Sequence, residues 1–336
     1  MDSGKTKGMR LMREIGGYIE IDTYHLPMLH EDGIALNCGR NCLAYLFKSR
    51  GIRKIKLPFF ICASIPGVCD REGIEKSFYH VGLDFKPAEG LSLEEDEWLY
   101  LVNYYGQLSN DEIESYVQRF GSVIVDQAND YFASPLPNVD TFYTCRKWFG
   151  VADGAFLYTD KPLSDEFPQD ESFDRMEFLL GRYERTANEF YNGYNANNKY
   201  FIDQPIKKMS KLTANLLHGI DYEAVEARRR ENFEFLQEQL RGLNQLRPRT
   251  ASFMYPFMIE GGANIRKKLQ AEKIYIPTLW PTVFELTDKT DLEYQMAKNI
   301  LPLPIDQRYE IEDMKYMVHK LLQACQKNQV TIIEED

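Results

Sequence analysis

The sequence predicts an α/β protein in which a mainly parallel central sheet is flanked by helices and followed by a smaller α+β lobe. Short apolar stretches alternate with helical patterns through the first half, which is the rhythm of βαβ units. From about Ser164 the texture changes to polar, Asn- and Tyr-rich sequence and then to a long amphipathic helix. The length of 336 residues also exceeds what one hydrophobic core usually organises. These observations divide the chain into a large domain, 1–215, with an irregular segment at 165–215, and a small C-terminal α+β domain, 216–336.

The elements follow in order. A helix is expected at Asn41–Ser49, after the turn Asn37-Cys38-Gly39-Arg40, and a strand at Lys54–Leu57, stopped by Pro58. Cys62–Glu72 reads as a helix with Pro66 in its first turn, where a missing N–H costs nothing. Further strands read Lys76–Val81, Leu99–Asn103, Ser122–Asp126, Thr141–Thr144 and Ala155–Thr159. Ser109-Asn110-Asp111-Glu112 is a helix start signal for Ile113–Phe120. Asp165–Tyr200 reads as helices with an extended loop over Tyr191–Tyr200. Tyr222–Arg241 is a long helix with Ala224, Phe233, Leu236 and Leu240 inward. A strand at Ala251–Glu260, a helix at Asn264–Glu272, a short strand at Ile274–Ile276 and a helix at Glu310–Cys325 complete the small lobe.

Composition excludes several classes. A net charge of −11 argues against a general nucleic-acid binder, which needs excess Lys and Arg. No apolar run approaches the length of a membrane span and no signal-peptide core is present, so no membrane partner is expected. Six cysteines without a CxxC pair fit reduced thiols in a cytoplasm. Ser3-Gly4-Lys5-Thr6 imitates the end of a P-loop without its upstream glycine or strand. His25, His30 and Glu31 lack the helical spacing of a zinc protease. Cys38 and Cys42 read as core thiols, and Arg228-Arg229-Arg230 as a solvated helix face with ion pairs.

Three positions carry chemistry together. Gly39 before a helix lets backbone N–H groups approach an anion at the positive end of the dipole. Asp126 ends an apolar strand, where ligands of open α/β sheets bind. Lys147, among aromatics after a strand, is placed for desolvation and nucleophilic attack on carbonyls. Each has an ordinary structural reading: a tight turn, a helix N-cap and a snorkelling surface lysine. Their order, with the lysine 21 residues beyond the aspartate, is what pyridoxal 5'-phosphate requires: a phosphate cup, a carboxylate on the ring nitrogen and a lysine for the aldehyde.

The blocks Asn37–Asn41, Leu57–Cys62, Val125–Asn129 and Lys147 through Asp153-Gly154 resemble, in that order, the nucleotide-sugar aminotransferases of the DegT/StrS type, pyridoxal-phosphate enzymes of fold type I. The resemblance spans roughly residues 15–325. It implies that Lys147 binds the cofactor covalently and that Asp126 pairs with its ring nitrogen. Asn129 would stand by the phenolic oxygen, and Gly39, Arg40 and Asn41 would hold the phosphate. Phe60 or Cys62 falls at the ring-stacking position, the strict alignment favouring Cys62, which has no ring to stack. Thr144 is the nearest candidate for a serine usual before the lysine. Asn195, in Gly193-Tyr194-Asn195-Ala196-Asn197, matches an asparagine that reaches a partner subunit's phosphate, although the arginine two places on is absent. The loop after Lys147 is one residue shorter than usual, and Ala155 replaces a glycine. The resemblance thus implies a homodimeric aminotransferase for a keto-sugar nucleotide, with glutamate as amino donor. The departures leave a second reading open, a non-catalytic homologue that binds a sugar nucleotide or a protein partner.

Overall fold

Apolar runs become the middle of a sheet, and their polar ends mark where it stops. The computed structural model describes residues 15–335, so Ser3–Thr6 lies outside the described residues. The large sheet comprises β1 (Ile34–Leu36), β2 (Lys54–Pro58), β3 (Glu75–Tyr79), β4 (Glu97–Val102), β5 (Val123–Asp126), β6 (Asp140–Thr144) and β7 (Ala155–Tyr158). Their spatial order is β1-β7-β6-β5-β4-β2-β3. The neighbouring pairs from β6 through to β3 are all parallel, and β7 runs antiparallel to both β6 and β1. β5 is buried along its whole length, as befits a central parallel strand.

Helices α1 (Gly39–Arg50), α2 (Ser64–Glu72) and α3 (Asn110–Phe120) connect these strands. The start signal before α3 is a complete capping box: Ser109 Oγ accepts from the Glu112 N–H, and the Glu112 carboxylate accepts from the Ser109 N–H. After the sheet come α4 (Glu177–Glu184), α5 (Tyr191–Tyr200), α6 (Lys211–Leu217) and the long α7 (Tyr222–Leu240). β8 (Met254–Met258), α8 (Gly262–Ala271), α9 (Val283–Leu286), α10 (Leu292–Asn299), β9 (Ile300–Pro304) and α11 (Ile311–Glu335) follow. β8 and β9 form an antiparallel pair, and α7, α8 and α11 pack with it around a second core.

Several expectations are corrected. Tyr191–Tyr200 is a helix rather than a loop, because Asn197 inside it donates to the Ala152 carbonyl at 2.8 Å. Tertiary contact overrides the weak helix propensity of Asn, Tyr and Gly. Ile274–Ile276 is not a strand; the partner of β8 is Ile300–Pro304. On α7 the inner stripe is Val225, Arg229, Asn232, Phe233, Leu236 and Leu240, so Ala224 is exposed and Arg229 is buried. Arg228 and Arg230 keep the expected surface ion pairs, with Glu231 and Glu226. Among the described residues no helix is long and apolar enough to cross a membrane.

Candidate active site

Asp126 closes β5, and its register partner across the parallel pair is Phe142 of β6. Both strands therefore release their chains at the same edge, the carboxyl end of the sheet, where an open α/β fold binds ligands. The Asp126 side chain is nearly buried, and each oxygen takes one donor from the protein. Tyr100 Oη donates to Oδ2 at 2.7 Å, and the Ala128 N–H donates to Oδ1 at 2.7 Å. Tyr100 sits on the adjacent β4 and is fully buried, and burial pushes its phenol well above the usual range.

The chain leaving β6 turns tightly, with the Trp148 and Phe149 N–H groups both donating to the Cys145 carbonyl at 2.9 Å. This turn carries Lys147 to the surface. Lys147 is exposed rather than desolvated, with Nζ 5.4 Å from the centre of the Phe253 ring. Trp148, next in sequence, is pinned from three sides. Its Nε1–H donates to the Ala128 carbonyl at 3.1 Å, its own carbonyl accepts from Gln307 Nε2 at 2.8 Å, and the Arg229 guanidinium lies 4.3 Å from its ring. The rest of the loop is fixed at Asp153, whose buried carboxylate accepts from the Ser210 N–H and Ser210 Oγ at 2.7 Å each and from Thr213 Oγ1. Gly154 then takes φ +113°, a region that disfavours side chains, and an added Cβ would meet Thr213 at 3.0 Å and Cys145 at 3.1 Å. The Gly154 N–H donates to the Asn37 carbonyl at 2.6 Å, which joins the lysine loop to the turn before α1.

That turn delivers the N-terminus of α1. Cys38 occupies the N-cap position without a side-chain cap, and the first helical turn contains no acidic residue. The first-turn donors thus keep their positive end uncompensated. Gly39 lies over the ring of Phe142, which a Cβ would meet at 3.2 Å. Arg40 makes no hydrogen bond or ion pair among the described residues. Asn41, in contrast, is fully buried, and its Nδ2 donates to Asn37 Oδ1 at 2.7 Å and to the Pro205 carbonyl at 2.8 Å. Its side chain ties the turn before α1 to the chain at Pro205.

The remaining candidates are placed unequally. Asn129 is buried beside Asp126, and its side-chain Oδ1 has no hydrogen-bond partner. Its main-chain carbonyl accepts from Ser252 Oγ and from the Phe253 N–H at 3.3 Å. Phe60 packs in the core against Tyr104 and Trp280, with ring centres at 5.4 and 4.6 Å. Cys62 is half-buried, with Sγ 2.8 Å from Ser64 Oγ. Thr144 is half-buried at the end of β6, paired with Ala155. Asn195 is half-buried on α5 and has no hydrogen bond among the described residues. Its neighbour Asn198 accepts from Arg146, so α5 lies against the lysine loop of its own chain.

Sequence reasoning missed Tyr100, Trp148, Arg229 and Arg146. Tyr100 sits in an apolar run one strand away from Asp126, and nothing local marks its contact. The doublet Arg146-Lys147, separated from the end of β6 by one residue, is the available signal for Arg146. A cleft of about 440 Å³, walled in part by Asp130, Trp148, Arg229 and Ser252, opens beside the same loop. Burial and the nearby Glu226 push the Asp130 carboxyl up to about 7.

Neither a protein-family model nor a curated protein sequence matches the chain. Solved structures do. A putative sugar aminotransferase, Spr1654 from Streptococcus pneumoniae in its PMP form, superposes with a TM-score of 0.65 at 14% identity, covering 90% of this chain and 88% of that one. S. venezuelae DesV, in complex with a ketimine intermediate, gives 0.60 at 15%, over 86% and 83% of the two chains. A DegT DnrJ EryC1 StrS aminotransferase from Brucella abortus gives 0.59 at 16%, over 86% and 85%. The chain therefore has the fold of these aminotransferases over most of its length.

Proposed function

We propose that this protein is a pyridoxal-phosphate-dependent aminotransferase acting on a keto-sugar carried on a nucleotide, with glutamate as amino donor. The observation that carries the reading is the convergence of Asp126 and the Lys147 loop, from adjacent parallel strands, with the uncompensated N-terminus of α1. The residues present fit the cofactor. Asn129 holds a buried oxygen without a partner, as a site for a polar ring substituent would, and Asp126 has lone pairs left beyond its two donors.

When bound, pyridoxal phosphate supplies an electrophilic carbon and an electron-withdrawing ring. The protein's part is orientation and proton transfer. Asp126, fixed by Tyr100 and Ala128, would present a carboxylate to the ring nitrogen. Lys147 Nζ would hold the cofactor's electrophilic carbon and, when free of it, would serve as the base for the proton on the amine-bearing carbon of the substrate. Trp148, held by Ala128, Gln307 and Arg229, keeps the lysine backbone still while the side chain moves.

The same reading makes the protein a cytoplasmic homodimer with a large domain to residue 215 and a small one after it. Exposed apolar side chains recur along this stretch of sequence, at Phe173, Leu180, Tyr183, Tyr191 and Ile202, as an interface with a second copy would need. Asn195 lies within this segment, and mixing Lys147→Ala with Asn195→Ala subunits should restore activity if it serves the partner's site. Cys62, which offers no ring to stack, favours the rival reading of a binding protein with a degenerate pocket. Titrating purified protein with pyridoxal phosphate decides between the two. An enzyme gains visible absorption, which borohydride fixes on the peptide containing Lys147, and glutamate then bleaches the unreduced complex. A protein that takes up no cofactor, or is labelled elsewhere, is not this aminotransferase.

A further inference from the structure

The cleft beside the lysine loop, about 440 Å³, has room for a small organic molecule. Asp126, Asn129, Lys147 and α1 form no part of its walls, so it is separate from the groups assigned to the cofactor. Its apolar side includes Phe132 and Trp148, whose rings meet edge to face with centres 5.6 Å apart. Three basic and three acidic side chains face it: Arg229, Arg230, Arg249, Asp130, Glu226 and Glu234. The charge of a fitting ligand depends on which of these the protein has left free.

The basic groups are all engaged. Arg229 donates to Gln307 Oε1 and to the Ser252 and Phe253 carbonyls, each at 3.2 Å, and lies over the Trp148 ring. Arg230 pairs with Glu226 at 3.2 Å, which also commits that carboxylate. Arg249 donates to the Gln107 carbonyl and pairs with Glu112 at 3.1 Å. Asp130 and Glu234 are left over. Glu234 makes no hydrogen bond or ion pair among the described residues. Asp130 is withdrawn from water against Gly106, with Oδ2 2.9 Å from where a Cβ would stand, and among the described residues its carboxyl accepts only from the Ala133 N–H. A carboxylate can accept about four hydrogen bonds, so most of its capacity is unused. No group of three acidic, histidine or cysteine side chains among the described residues could hold a metal ion, so the cleft suits an organic cation.

We propose that this cleft is a binding site for an alkylammonium ligand, its charged head on Asp130 within the field of Glu234 and its carbon chain against Phe132 and Trp148. The site does not rest on the function proposed above. Trp148 follows Lys147 directly, so an occupant touches the loop that carries the lysine. A charge-assisted hydrogen bond to Asp130 accounts for about a 10- to 100-fold gain in affinity.

The test is titration of the full-length protein with N,N-dimethylbutylammonium, and with butyrate as the probe of opposite charge. A tertiary amine forms no imine with an aldehyde, so the result is independent of pyridoxal phosphate. The ammonium should bind the wild type at pH 8 and butyrate should not. Asp130→Asn should weaken the ammonium about 10-fold or more. Of the six charged groups facing the cleft, Asp130 is the one that burial and Glu226 push up to about 7, so wild-type affinity should rise about 10-fold from pH 6 to pH 8 and the variant should lose that rise. A wild type that does not bind the ammonium, or binds butyrate as well, overturns the proposal. So does an Asp130→Asn protein that binds as tightly as the wild type. Should Asp130→Asn not fold, the wild-type pH profile decides: the rise supports the site, and a flat profile overturns it.

Discussion

Replacing Tyr100 with phenylalanine deletes one oxygen atom and keeps the ring that packs in the core. The lost oxygen donates to Asp126 Oδ2 at 2.7 Å from a side chain with no exposed surface, and Asp126 is itself only 8% exposed. A hydrogen bond to a charged group contributes about 1.5–3 kcal/mol, roughly twice a neutral one. Tyr100→Phe should therefore lower unfolding free energy by about 2 kcal/mol, with Asp126 Oδ1 still served by the Ala128 N–H. In an Asp126→Asn background the same deletion removes a neutral bond and should cost about half as much. The double-mutant cycle should then give a coupling energy of about 1 kcal/mol. Urea unfolding of the apoprotein in all four variants measures it without any appeal to the cofactor. If Tyr100→Phe changes stability by less than about 0.5 kcal/mol, or the cycle shows no coupling, Tyr100 does not orient the carboxylate.

Other outcomes follow from the same geometry. Lys147→Ala should abolish borohydride-fixed cofactor labelling without loss of melting temperature, since the side chain is exposed; retained labelling would move the covalent link to another lysine. Asp126→Asn should still bind pyridoxal phosphate yet lose transamination by about 100-fold or more, and unchanged turnover would end its assigned role. Gly154→Ala should destabilise by about 1–3 kcal/mol, because φ +113° and contacts near 3 Å leave no room for a methyl group; a neutral result in chemical denaturation would contradict the loop geometry. The Asp130 carboxyl, pushed up to about 7, binds a proton in the folded state that an unfolded chain releases above about pH 4. Stability should accordingly decline as pH rises from about 4 to 7, and Asp130→Asn should flatten that decline in thermal melts. Parallel curves for the two proteins would refute the shift.

The legible parts of this molecule are those whose cause is local. The capping box at Ser109 and Glu112 names its own helix, and the apolar run ending in Asp126 names both a strand and the carboxyl edge of the sheet. The order of turn, aspartate and lysine on which the proposed function rests is also visible in the chain, because parallel strands release their chains at one edge. Illegible elements depend on distant partners. β1 is three residues long and exists by pairing with β7, and β9 carries Pro302 and Pro304, which propensity alone would bar from a strand. α5 reads as a loop until Ala152 arrives to accept from Asn197. Arg229 looks like the middle of a solvated triplet, since nothing nearby in sequence shows that Trp148 and two carbonyls await it. The desolvation expected for Lys147 came from the aromatics around it in sequence. In space Trp148 and Phe149 turn into the core and the lysine does not follow.

The carbonyl of Asn129 receives both Ser252 and Phe253, the residues that lead into β8. Glu293 of α10 likewise accepts from His80 and from the Val81 N–H at the far side of the sheet. These ties make the sheet and the C-terminal third a single inheritance. A recombination event that exchanged the C-terminal third for that of a distant homologue would have to bring matching donors for Asn129, a cation for Trp148 and a carboxylate for His80 at once. Change in such a chain is expected to accumulate by point substitutions in its exposed segments rather than by wholesale exchange of its C-terminal third.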